Sequence, residues 1–113
     1  MINLNTVFHI SDNEIWPKAL SNLKNYLKDV GDNIAKIEIV ANANAVKAYI
    51  ASSDLVKEME ILNSRGISFV ACANALQANS IEKSQLPTFV NIVPGAITHL
   101  VVKQKEGYAY IKP

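Results

Sequence analysis

The sequence predicts an α/β fold: three layers, α/β/α, around a five-stranded and mostly parallel sheet. Three observations carry this. Short β-branched runs alternate with helix-period segments along the whole chain, the rhythm of repeated β-α-β units. The connections between them are short, which suits successive parallel strands joined by covering helices. The run at 67–73 (ISFVACA) is almost wholly apolar, with no polar alternation beyond Ser68, as expected of a strand covered on both faces.

The elements follow in order. Residues 5–10 (NTVFHI) read as the first strand. A long helix over 14–30 comes next. Its apolar residues Trp16, Leu20, Leu23, Leu27 and Val30 step by four and three and so share one face. Pro17 falls in the first turn, where no backbone N–H is needed, and Gly31 with Asp32 breaks the helix. Residues 34–41 (IAKIEIVA) form the second strand, and 45–51 a short helix. Ser53 is the expected cap of another helix, with Leu55, Met59 and Leu62 inward and Gly66 at its end. The third strand is 67–73, and Asn74 is the expected N-cap of a short helix through Ala78. A polar connection at 80–85 and Leu86-Pro87 lead into a fourth strand at 89–93. Pro94-Gly95 opens a last helix with Ile97, Leu100 and Val101 inward. Gly107 stops it, and 108–111 (YAYI) makes the fifth strand.

Length and composition narrow the function. A chain of 113 residues suits one domain spanning 1–113. Half of it is hydrophobic and 19% charged, with a net charge of +1, which is a globular balance. Lysine and arginine occur only in scattered pairs such as Lys103 and Lys105, so no nucleic-acid partner is expected. Residues 1–6 lack the basic and apolar regions of a signal peptide, and no run reaches the ~20 apolar residues of a spanning helix. With one cysteine and no disulfide framework, the expected compartment is the cytoplasm, with no membrane partner.

No G-x-G-x-x-G, Walker loop, C-x-x-C or H-E-x-x-H occurs, and His9 and His99 lie in unrelated elements. No cofactor and no metal are therefore expected. Cys72 stands apart. It is the penultimate residue of the third strand, and open α/β sheets bind ligands at the carboxyl ends of their strands. A thiol beside a helix N-terminus meets unpaired N–H groups that favour the thiolate, the reactive form. The competing reading is a small buried hydrophobe, the common fate of free cysteine. Asn74, His9, Asn42 and Asn44 are further candidates for the same rim, each with an ordinary structural alternative in a cap, a strand end or a turn. Tyr108 and Tyr110 suit either an edge strand or a subunit interface.

Three segments, VACANAL at 70–76, VPGA at 93–96 and QKEGYAYI at 104–111, give the chain a resemblance to the DsrE/DsrF-like family. The spacing of Trp16, Leu20, Asn22, Leu23 and Asn25 fits as well. The resemblance covers nearly the whole chain. It implies a flavodoxin-like three-layer fold, a homo-oligomer (trimer or hexamer) and a sulfur-carrier or sulfurtransferase-like role with donor and acceptor proteins. Cys72 is then the catalytic position, carrying sulfur as a persulfide. The alternative is a non-catalytic oligomeric module that binds a small ligand or a protein, with Cys72 structural. The chain departs from the family where relatives carry His-Gly and it carries Asn42-Ala43; any proton-transfer role of that histidine is missing here or moved to His9.

Overall fold

Each β-branched run becomes a strand, and the five strands run parallel to their neighbours: β1 (Thr6–Ile10), β2 (Ile37–Ala41), β3 (Ile67–Cys72), β4 (Val90–Val93) and β5 (Ala109–Ile111). The computed structural model describes residues 3–31 and 35–113. The strand order is β4-β3-β2-β1-β5. Between the strands lie α1 (Trp16–Val30), α2 (Val56–Ser64), α3 (Ala73–Ala78) and α4 (Ala96–Lys105). Short 3-10 helices occupy Asn13–Ile15, Ala43–Tyr49 and Lys83–Gln85.

The order assigns each helix to a face. The steps β1 to β2 to β3 to β4 all go the same way across the sheet, so right-handed crossovers put α1, α2 and α3 on one face. The step from β4 to β5 crosses back and puts α4 on the other. Side chains alternate along each strand, which makes the division visible. Thr6 bonds to Tyr26 of α1, whereas Glu38, one register row further along, bonds to His99 and Lys103 of α4.

The core under α1 is aromatic. Trp16 sits 5.3 Å from Tyr49 and 6.5 Å from Phe69, ring centre to ring centre, and Phe89 closes on Phe69 at 5.9 Å. Trp16 and Tyr49 are fully buried, so their polar atoms need partners. Trp16 Nε1 donates to the Ala45 carbonyl at 2.9 Å. The Tyr49 hydroxyl is 3.0 Å from the Val70 carbonyl and 3.3 Å from that of Ile39, bridging β3 and β2.

Two groups make stability depend on alkaline pH. Burial holds the Tyr49 phenol well above its ordinary 10.0, against a smaller lowering by the Val70 carbonyl. Burial alone would lower Lys103, but the hydrogen bond and charge of Glu38, with help from Glu106, leave it raised. Both folded-state values thus exceed the unfolded ones. The native state holds more protons than the unfolded state once pH passes about 10, so the contribution is complete below that pH and lost above it. Unfolding free energy is expected to fall as pH rises beyond about 10, and Tyr49→Phe to reduce the slope by about one proton. Equal alkaline slopes for parent and variant in denaturant melts would remove Tyr49 from this role.

Several expectations shift. The second strand's predicted start at Ile34, the break at Asp32 and the first two residues of the N-terminal segment fall outside the described residues. Gly31 does end α1, at φ +61 with its N–H on Leu27. The helix expected over 45–51 is the 3-10 helix Ala43–Tyr49. Ser53 does not cap α2, because the chain first makes a turn there; its Oγ takes the Leu55 N–H at 3.3 Å and the helix begins at Val56. Ala73 belongs to α3 rather than β3, so Cys72 takes the cap position and Asn74 lies inside the first helical turn. In α4 the inward residues are Ala96 and Leu100, while Ile97 and Val101 are 63% and 49% exposed. Ala96, His99, Leu100 and Lys103 share the face toward the sheet, where Glu38 bonds His99 and Lys103, and Ile97 and Val101 fall outside it.

Candidate functional site

Cys72 is the last residue of β3 and leaves the strand with extended backbone, φ −81 and ψ 120, before α3 winds at once. The sheet register puts it on the α4 side, in line with Val70 and opposite Val93. Its sulfur therefore meets the start of α4. The backbone N–H of Ala96 donates to Sγ at 3.4 Å. Cys72 is only 6% exposed, yet it lines an open cavity of about 430 Å³. Asn42, Asn74, Gly95, Ala96 and Thr98 share that lining.

The cavity follows from parallel topology. Asn42 comes directly after β2, Cys72 ends β3 and Gly95 follows β4, so three neighbouring strand ends open onto one space. Apart from the thiol, its lining has no ionisable side chain. Polar character comes from amides, a hydroxyl and backbone N–H groups. Among the described residues no group of three or more His, Cys, Asp or Glu side chains comes close enough to hold a metal.

The candidate residues divide. Asn42 and Asn74 join Cys72 at the cavity. Asn44 does not; its Oδ1 accepts the Asn13 N–H at 2.7 Å and ties two 3-10 helices together. His9 shares the α4 face with Cys72 but stands two strands away and in register with Val70, two residues short of it, roughly 12 Å at ordinary strand dimensions. His9 is 8% exposed and both of its ring nitrogens are engaged by other residues. Nδ1 is 2.6 Å from the Tyr110 hydroxyl and Nε2 is 3.0 Å from Asn42 Oδ1. Tyr110 lies on β5, opposite Val7 and on the same face as His9.

Sequence reasoning missed the Ala96 N–H, Thr98 and the partnership of Tyr110 with His9. The alternation of Tyr108 and Tyr110 showed that they share a face, but not which strand lies beside them. Ala43 adopts φ +50, a left-handed value that suits glycine. This is the position where the resembling family carries the Gly of its His-Gly pair. Here the Asn79 amide bonds the Ala43 carbonyl at 3.0 Å and the Ala75 carbonyl at 2.8 Å, bracing the strained turn.

With this geometry in view, the comparisons are specific. The model of the DsrE/DsrF-like family matches residues 33–113. MTH1491, a protein of unknown function from Methanobacterium thermoautotrophicum, is similar with a TM-score of 0.91 and 31% identity, over 98% of this chain and 100% of that one. The ychN protein from E. coli is similar in fold, with a TM-score of 0.81 and 13% identity, over 97% of this chain and 99% of that one. No curated protein matches the chain.

Proposed function

The chain belongs to the DsrE/DsrF-like family, and from that premise we propose that it is a sulfur carrier whose Cys72 holds sulfur as a persulfide. The observation that carries this reading is the Cys72 sulfur itself: the chain's sole thiol, at the wall of a strand-end cavity, with the Ala96 N–H aimed at it. The chemistry needs no other group. The Cys72 thiolate attacks the outer sulfur of a donor persulfide, the donor's S–S bond breaks, the donor thiolate leaves and Cys72 keeps the outer sulfur. An acceptor thiolate then attacks that outer sulfur, and Cys72 departs as thiolate. No net oxidation occurs in either step.

The setting supports the reading. A backbone N–H can hold the inner sulfur in place through both steps. The uncharged cavity puts no carboxylate beside an anionic sulfur. Donor and acceptor proteins would reach Cys72 through the cavity mouth, and a reducing cytosol would keep the thiol free. The family resemblance implies a homo-oligomer, trimer or hexamer, and the exposed Ile97 and Val101 on α4 offer apolar surface that an assembly would cover. Among the described residues no helix is long and apolar enough to cross a membrane.

The second reading, a non-catalytic ligand-binding or interaction module, draws on the 6% exposure of Cys72, which a structural cysteine would share. One experiment separates them. The full chain is treated with a small-molecule persulfide, trapped with an alkylating agent and weighed by mass spectrometry. One added sulfur atom on the Cys72 peptide is expected. If none appears at any donor level, the carrier reading is lost and the binding module stands.

A further inference from the structure

We propose that His9 and Tyr110 are positioning residues: they hold the Asn42 amide so that its NH2 group faces the Cys72 cavity and selects a deprotonated persulfide as the species kept there. This rests on the carrier reading above. A neutral imidazole has one donor nitrogen and one acceptor nitrogen. The Tyr110 hydroxyl, 2.6 Å from Nδ1, is a natural donor to it. Nε2 then carries the proton and donates to Asn42 Oδ1 at 3.0 Å. The amide is planar, so fixing Oδ1 on His9 turns Nδ2 the other way. Asn42 lines the cavity, and Nδ2 has no hydrogen-bond partner among the described residues.

The arrangement decides what His9 does. His9 is buried while its two partners are more exposed, so the ring is the fixed centre of the two hydrogen bonds. An amide does not ionise, so His9 cannot draw a proton from Cys72 through Asn42. It acts by orientation alone. A persulfide anion on Cys72 would meet the Asn42 NH2 as a charge-assisted acceptor, about twice as strong as a neutral one. The chain of contacts also reaches β5 at the sheet edge, which ties the order of the C-terminal strand to the cavity.

Long-range proton–nitrogen NMR on the full-length chain reads the first link. The His9 ring proton is expected on Nε2. A proton on Nδ1 would reverse the amide, send Oδ1 into the cavity and overturn the proposal. The second link is the equilibrium of sulfur between Cys72 and a small-thiol persulfide. Asn42→Asp keeps the acceptor for His9 but replaces the NH2 with an anionic oxygen; it should lower the loading constant about tenfold. Tyr110→Phe should lower it in the same direction. Changed melting with unchanged loading would mean a structural role only, and overturns the proposal. If the parent takes up no sulfur, the carrier reading fails by itself. Hydrosulfide titration then decides the amide's orientation: a shift of the Asn42 NH2 signals in the parent that Tyr110→Phe abolishes supports it, and no shift overturns it.

Discussion

Cys72→Ser is expected to abolish sulfur uptake while leaving the fold in place. Cys72 is the sole cysteine, so no second thiol can substitute. A serine oxygen cannot form the S–S bond and is a far weaker nucleophile at neutral pH. The structural cost should be small. Oγ is shorter than Sγ but still offers an acceptor to the Ala96 N–H, which otherwise would lose its partner. We expect a change of about 1 kcal/mol or less in unfolding free energy. Persulfide trapping on parent and variant, with thermal melts of each, measures both effects. Sulfur on the variant would remove Cys72 from the carrier role. Collapse of the fold would show the thiol to be chiefly a packing element.

Trp16→Ala is the largest stability loss we expect. The indole is fully buried between Tyr49 and Phe69, and it joins the first turn of α1 to the 3-10 helix after β2. Truncation leaves a cavity where neighbouring rings cannot easily close, and it strands the Ala45 carbonyl. Buried Trp-to-Ala changes cost about 3–5 kcal/mol. Because the total stability of such domains is of order 5–15 kcal/mol, a fall in melting temperature of roughly 10 °C or more should follow. Trp16→Phe keeps much of the ring volume but not the N–H, so it should lie between parent and alanine. A loss below about 1.5 kcal/mol for Trp16→Ala would mean that the aromatic cluster is less central than its burial implies.

Much of the fold was legible because its signals are local. The stepping of Trp16, Leu20 and Leu23 marks one helical face, and all three are buried. The apolar run from Ile67 to Ala73 marks an inner strand, and β3 does pair on both sides. Where the reading slipped, a contact distant in sequence had overruled local pattern. Ile97 and Val101 look inward by apolarity alone. The buried face is instead that of Ala96 and Leu100, which also carries His99 to Glu38, some sixty positions earlier. Asn74 has the chemistry of an N-cap, but the chain turns into α3 two residues sooner. The candidate site was legible in the same partial sense. Cys72, Asn42 and Asn74 were chosen because they sit at strand ends, and they share a cavity. Asn44 was chosen on the same ground and points elsewhere.

Which segments become strands and helices, and that Cys72 falls near the carboxyl end of a buried strand, can thus be read from the chain alone. Those properties follow from side-chain periodicity over a few turns or a few residues. Long-range packing sets the order β4-β3-β2-β1-β5, the outward face of α4, and the meeting of Cys72 with the Ala96 N–H. It also decided the contact of His9 with Tyr110, a separation of 101 positions closed by one strand pairing. The physical reason is that sheet order and register are set by the combined packing of all the elements, and no short window of sequence contains that sum.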